Sequence, residues 1–351
     1  MLLSENIINW YSTHARKLPW RQNQDPYSIW VSEIIMQQTR IEQGLAYYLR
    51  FIETFPNIMD LAKAKEDKVL KLWEGLGYYS RARHMMHTAK EIASLYNGVF
   101  PKQYETVLKL KGIGPYTASA ICSFAYKKPY AVVDGNVSRV LSRYYGINTP
   151  INTSSGKSLF AKLAQDNLNL KSPDIHNQAI MEFGALQCKP TNPLCLKCPV
   201  ADSCVALATN QVSILPKKEK NLKVSNRYLH FFFIKSENYF LVEKRTSSDI
   251  WKGLYQLPLI ESKKEVQNDT IFELTDFKNI IGNQKFNLVK TQEVVHKLTH
   301  RKLYIRFYNI EVTKLLSPKY LRIAITNMND IAYPQPVRKF LTNLAENILN
   351  N

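Results

Sequence analysis

Cys188, Cys195, Cys198 and Cys204 fall within seventeen residues, spaced C-x6-C-x2-C-x5-C. Few patterns restrict a fold so tightly, because a segment this short brings four thiols to a shared partner only by wrapping around it. Pro190, Pro193 and Pro199 stiffen the intervening loops. Disulfides would suit an oxidising compartment, but the opening MLLSENIINWYSTHARKLPW lacks the apolar core of a secretory signal. A metal is the better reading. Zinc ribbons pair two C-x2-C knuckles and only one occurs here, whereas four thiolates at this density fit a 4Fe–4S cubane. Cys122 stands apart in an apolar helical pattern and reads as core.

Upstream, residues 108–136 read LKLKGIGPYTASAICSFAYKKPYAVVDGN. A short periodic segment from Tyr104 is broken by Gly112-Ile113-Gly114. Pro115 stands where a helix begins, and Thr117, Ala118, Ala120 and Ile121 carry the helical pattern onward. Two glycines around one aliphatic residue allow a tight turn whose bare N–H groups reach a phosphate, with a helix N-terminus behind them. Alone, this is an ordinary helical corner. One helix later Val132-Val133-Asp134-Gly135-Asn136 sets a carboxylate just past an apolar run.

A second acid is conspicuous at Glu33, inside Ile29-Trp30-Val31-Ser32-Glu33-Ile34-Ile35-Met36-Gln37-Gln38-Thr39-Arg40. Apolar residues lie at the neighbouring helical spacings, so its face is expected to be partly buried, with a raised pKa suited to a general acid. Before it, Asp25-Pro26-Tyr27-Ser28 is a turn with Ser28 as candidate N-cap. Trp20 and Arg21, ending the basic run from Arg16, are expected at a polyanionic partner. Leu76-Gly77-Tyr78-Tyr79 with Arg81 reads as a glycine-bent junction whose aromatics either pack or insert beside a base.

Together these motifs resemble the helix-hairpin-helix DNA glycosylases over roughly residues 6–208. The stretch S-E-I-I-M-Q-Q-T, with a C-terminal region, is similar to the adenine DNA glycosylases of the MutY type. The resemblance implies that Glu33 protonates adenine and Asp134 stabilises the oxocarbenium ion, with Tyr116 and Asn136 beside them. It implies that Gly112 and Gly114 grip the backbone and that Gln37, Gln38 and Gln178 lie near the bases. Tyr78 becomes the wedge opposite the adenine and Arg81 a DNA contact. The cysteine spacing matches that family's 4Fe–4S cluster.

Beyond a Lys-, Pro- and Asn-rich stretch at 212–226, read as an exposed linker, the pattern turns strand-like at 228–235, 239–244, 288–293 and 303–312, with helix returning at 336–349. Trp251-Lys252-Gly253-Leu254-Tyr255-Gln256-Leu257-Pro258 resembles the Nudix-like domain that ends adenine glycosylases, but no Nudix hydrolase box follows it. Where that family carries Phe-Ser-His at the lesion, this chain has Leu298-Thr299-His300, so Thr299 and His300 are the candidate readers of 8-oxoguanine.

The expected fold is a mainly α N-terminal region, with a helix-hairpin-helix glycosylase fold and iron–sulfur loop, followed by an α+β Nudix-like domain. The expected divisions are 1–187, the cluster loop 188–211, the linker 212–226, and 227–351. With 47 Lys and Arg against 29 Asp and Glu, a net charge of +18 suits double-stranded DNA holding adenine opposite 8-oxoguanine or guanine. A cytoplasmic, nucleoid-associated monomer without membrane contact is expected. Two rivals stand beside this reading. An endonuclease III-like glycosylase/lyase would need a lysine where Tyr116 is. A non-enzymatic iron–sulfur DNA-binding protein would need neither acid.

Overall fold

The computed structural model describes residues 3–219, 224–266 and 270–349. These divide into two compact units: the described residues of Met1–Lys63 with His84–Lys220, and those of Ala64–Arg83 with Asn221–Asn351. No described helix is long and apolar enough to cross a membrane.

The first unit is helical. Helix Leu3–His14 lays Ile7 and Trp10 against Val137, Val140 and Leu141 of helix Gly135–Tyr145 and Ile180 and Phe183 of helix Pro173–Leu186. Helix Pro26–Ile35 is buried from Tyr27 to Ile35. Its cap is Asp25 rather than Ser28: Pro26 occupies the first helical position, and the Asp25 carboxylate accepts from the N–H groups of Tyr27 (3.3 Å) and Ser28 (2.8 Å). Two further helices, Ser154–Asp166 and Pro173–Leu186, are divided where Pro173 restarts the chain.

The hairpin forms as expected, from helix Tyr104–Lys109 to helix Pro115–Tyr126. Gly112 is required twice over, by φ +80° and because a Cβ there would sit 2.6 Å from His84 Cβ. Gly114 has an ordinary φ of −95° and open space where its side chain would be.

The second unit is built on β1 (Ser225–Ser236), β2 (Tyr239–Lys244), β3 (Tyr255–Gln256), β4 (Leu259–Ser262), β5 (Phe286–Lys297), β6 (Arg301–Val312) and β7 (Leu321–Ala324). The order β3-β2-β1-β6-β5 has β1 and β6 parallel and β5 and β6 antiparallel, with β4 added to β1 and β7 to β2. Alternation along β1 and β6 sends Leu229, Phe231, Phe233, Leu303, Ile305 and Phe307 to one face under helix Gln335–Leu349, where Phe307 stacks on Phe340 at 4.4 Å. Phe232, Ile234, Tyr308 and Ile310 face helix Thr275–Ile281 on the other. β5 and β6 close into a hairpin with only Leu298, Thr299 and His300 at its tip.

The stretch expected as an exposed linker is partly pinned to the first unit. Leu215 is buried, its carbonyl accepts from Arg143 Nε at 3.0 Å, and the Lys217 carbonyl accepts from Ile151 N–H at 3.0 Å. Residues 220–223 of that stretch lie outside the described residues.

Candidate active site

Both acids line one open cleft of about 760 Å³ in the first unit, with Trp20, Arg21, Met36, Arg40, Tyr116, Asn136 and Gln178. Glu33 reaches it from the last turn of helix Pro26–Ile35 and is 9 % exposed. Tyr116, in the first turn of the hairpin's second helix, donates to Glu33 Oε2 at 2.7 Å. Burial pushes the Glu33 carboxyl up to about 7, against the pull of the Tyr116 hydroxyl and with added repulsion from Asp134. Burial, reinforced by Glu33, holds the Tyr116 hydroxyl well above its ordinary range.

Asp134 caps helix Gly135–Tyr145. Its Oδ1 accepts from the N–H groups of Asn136 and Val137, both at 2.8 Å, and its Oδ2 from Asn136 Nδ2 at 2.7 Å. Burial raises its pKa while these three donors favour the anion. Glu33 and Asp134 thus repel one another in unequal surroundings: one has a single hydroxyl donor shown to it, the other two N–H groups, an amide and a helix N-terminus. The donors around Asp134 favour its anion more than the single hydroxyl favours that of Glu33.

Several supporting residues escaped the sequence reading. Arg139 bonds Asn136 Oδ1 (2.8 Å), the Gly184 carbonyl (2.7 Å) and the Cys188 carbonyl (2.8 Å), tying the Asp134 cap to the cysteine loop. Gly184 permits this approach, since a Cβ there would meet Asn136 Cβ at 2.6 Å. Glu182, with its side chain fully buried, accepts from Arg16 at 2.6 Å and Arg21 at 3.0 Å, and those donors outweigh burial to hold it below the usual carboxylate range. Arg21 is therefore braced at the cleft wall. Nothing in the local sequence links these partners; only the i,i+3 spacing of Asn136 and Arg139 was readable. Tyr11 donates to Gln178 Oε1 at 3.0 Å, which leaves the Gln178 amide nitrogen to act as donor.

The other expected contacts are dispersed. Trp20 is buried edge-on to Tyr48, at 5.0 Å, while still lining the cleft. Gln37 and Gln38 form the turn after helix Pro26–Ile35, between the cleft-lining Met36 and Thr39. In the second unit Tyr78, Arg81, Thr299 and His300 lie together: the hydroxyls of Tyr78 and Thr299 are 2.7 Å apart, and Arg81 sits 5.8 Å from the Tyr78 ring centroid. Thr299 and His300 are exposed, while Leu298 packs onto the sheet core.

Cys188, Cys195, Cys198 and Cys204 line a common small cavity of about 30 Å³. Burial pushes the Cys198 thiol up to about 11, and the nearby Cys188, Cys204 and Cys195 add to it. Arg143 Nη1 lies 3.4 Å from Cys188 Sγ and 2.7 Å from the Lys189 carbonyl. Among the described residues no three Cys, His, Asp or Glu converge as a single-ion site. The donor set, four soft thiols around a void, fits a cluster of several metal atoms.

A family described as HhH-GPD superfamily base excision DNA repair protein matches residues 31–165, and one described as NUDIX domain matches 230–343. The chain is 36 % identical to an adenine DNA glycosylase of Buchnera aphidicola subsp. Baizongia pistaciae, over 99 % of this chain and 97 % of that relative. It is 33 % identical to that of Buchnera aphidicola subsp. Acyrthosiphon pisum, over 99 % of each. Among solved structures, a thermostable thymine-DNA glycosylase superposes with a TM-score of 0.55 at 28 % identity, covering 59 % of this chain and 95 % of that one.

Proposed function

Because this chain belongs to the adenine DNA glycosylases, enzymes of base excision repair, we propose that it removes adenine mispaired with 8-oxoguanine or guanine by hydrolysis alone, leaving the strand uncut. The observation that carries this reading is the pairing of Glu33 and Asp134 across one cleft in unlike surroundings. Adenine is a poor leaving group from deoxyribose, so its C1′–N9 bond breaks only if the base is protonated and the developing oxocarbenium charge is met by an anion. Glu33, held near pKa 7, is the acid that gives its proton to the flipped adenine. Asp134, whose three donors favour the anion against its burial, faces the sugar cation. Asn136 fixes that carboxylate, and Tyr116 orients Glu33.

Gln178 offers its amide nitrogen to the adenine edge, with Trp20 and Arg21 forming the adjacent wall. Gly112 shapes the hairpin turn and Gly114 keeps it bare, so that backbone N–H groups reach a phosphate. Gln37 and Gln38 lie at the gap left by the flipped base. Tyr78, Arg81, Thr299 and His300 read the opposite base. An adenine facing thymine is normal, and that distinction cannot be made from the adenine pocket. Cys188, Cys195, Cys198 and Cys204 would hold a 4Fe–4S cluster, which when bound orders the loop that Arg139 and Arg143 grip. The expected divisions at 187, 211 and 226 belong to this proposal, with residues 64–83 reassigned to the second unit, as does a monomer at the nucleoid in the cytoplasm.

The lyase alternative needs an amine at the sugar. Position 116 is tyrosine, its hydroxyl is committed to Glu33, and no lysine is among the described residues lining the cleft. The test is release of adenine from duplexes pairing it with 8-oxoguanine, guanine or thymine, with strand scission followed before and after alkali. Adenine release opposite 8-oxoguanine and guanine but not thymine, with scission only after alkali, is the expected result. Scission without alkali, or a borohydride-trapped adduct in the unaltered protein, would favour the lyase.

A further inference from the structure

Residues of Ala64–Arg83 belong to the second unit, although their sequence lies far from the rest of it. Helix Glu66–Leu72 sits against the Trp251-Lys252-Gly253-Leu254 stretch so closely that a Cβ on Gly253 would meet Glu66 Oε1 and Leu70 Cδ1, both at 2.9 Å. Asp67 pairs with Lys244 and accepts from the Tyr255 hydroxyl at 3.2 Å, and Arg83 donates to the Lys252 carbonyl. Between these two end anchors is Glu74, with a side chain only 13 % exposed. Its Oε1 accepts from the Tyr333 N–H (2.8 Å) and Arg338 Nε (2.9 Å), and its Oε2 from Lys71 Nζ (2.7 Å). Arg338 is itself fixed by the Ile331 carbonyl and Asn329 Oδ1, both at 2.7 Å.

After Gly75 at φ +99° and Gly77 at φ +72°, Tyr78 is itself in the left-handed region, at φ +45°. A residue with a side chain stays there only where its surroundings over-determine it. The turn is held by Trp73 Nε1 on the Gly77 carbonyl (3.2 Å), by Arg81 Nη2 on the Leu76 and Gly77 carbonyls (3.3 and 3.2 Å), and by the Gly75 N–H on the Tyr79 hydroxyl (3.2 Å). The result is a Tyr78 ring 49 % exposed with its hydroxyl on that of Thr299, at the tip of an exposed hairpin. The Tyr78 ring has Arg81 5.8 Å from its centroid, and Thr299 is exposed. Their alignment depends on what clamps the turn to the sheet, and Glu74 is the clamp within the turn.

We propose that Glu74 is a positioning residue for recognition of the base opposite the adenine: through Tyr333 and Arg338 it holds Tyr78 and Thr299 as one preorganised hydrogen-bonded pair. This rests on the reading of Tyr78 and Thr299 as the opposite-base reader.

The test uses the full-length protein with Glu74→Ala, Glu74→Gln, Arg338→Gln, Thr299→Ala and the double variant Glu74→Ala, Thr299→Ala. Single-turnover adenine release is measured with 8-oxoguanine or guanine opposite. Glu74→Ala should shrink the 8-oxoguanine preference by about fivefold or more, the lower end of what one good base contact is worth, with little change in the guanine duplex. Glu74→Gln, which still accepts from the Tyr333 N–H, should lose less. The double variant should be no worse than Thr299→Ala alone, since both act through one pair. A general loss of packing would instead slow both duplexes and add to the effect of Thr299→Ala, and that result overturns the proposal. If Glu74→Ala does not fold, Glu74→Gln and Arg338→Gln carry the same comparison. An unchanged preference in the Glu74 and Arg338 variants while Thr299→Ala reduces it sinks this inference alone. An unchanged preference in Thr299→Ala sinks the underlying reading.

Discussion

Tyr116→Phe is the most informative single change at the acid, because it removes the hydroxyl that donates to Glu33 Oε2 at 2.7 Å while keeping the ring. Burial sets the Glu33 pKa near 7, and the Tyr116 hydrogen bond pulls against that rise by favouring the charged form. Its loss makes Glu33 hold its proton more firmly, so the pKa moves further up. A hydrogen bond to a charged group contributes about 1.5–3 kcal/mol, of which the neutral carboxyl would retain a share. At 1.36 kcal/mol per unit, the net displacement is about one pH unit. The assay is single-turnover adenine release at saturating enzyme across the neutral and alkaline range. With the unaltered protein, release should fall about fivefold between pH 7 and 8 as Glu33 loses its proton. With Tyr116→Phe the plateau is lower, but the alkaline limb sits about one unit higher. A limb that stays in place or moves down would refute Glu33 as the acid whose ionisation Tyr116 governs.

Asp134→Asn keeps an oxygen for the Asn136 and Val137 N–H groups, so the helix cap survives while the charge is lost. Adenine release should fall by about 100-fold or more with duplex affinity retained, measured by single-turnover kinetics and a binding titration. The purified protein should be brown and contain about four iron atoms per chain. Cys198→Ser should lose iron and with it solubility or DNA affinity, measured by metal analysis and retention on duplex DNA, whereas stoichiometric zinc in protein purified without air would refute the cluster. Arg139→Met strips the donors from the Gly184 and Cys188 carbonyls and from Asn136 Oδ1. It should lower unfolding free energy by about 2–4 kcal/mol in a urea titration.

Much of the first unit was legible because its punctuation is local. Gly112 and Pro115 mark a turn and a helix start by their own backbone restrictions, and helix Pro115–Tyr126 begins where they say. Glu33 stood out as a charge in an apolar run, and that helix is buried from Tyr27 to Ile35. Choosing Ser28 over Asp25 as cap failed because both residue types cap well, and the deciding factor is Pro26 at the first helical position. The short strands β3, β4 and β7, at 2, 4 and 4 residues, were invisible because period-two alternation needs a longer run. The bracing of Arg21 by Glu182 and the fastening of Glu74 to Arg338 span 161 and 264 positions. No local pattern encodes such pairs. Likewise, nothing in residues 64–83 announced which core they would join.

The central claim is that Glu33 delivers the proton that releases adenine, and Glu33→Gln tests it with shape preserved and the proton removed. The measurement is single-turnover adenine release from a duplex with 8-oxoguanine opposite, paired with a binding titration on the same duplex. Binding should be nearly unchanged and release abolished. Release retained within about tenfold of the unaltered protein, far less than the loss of a key general acid would cause, would contradict the account.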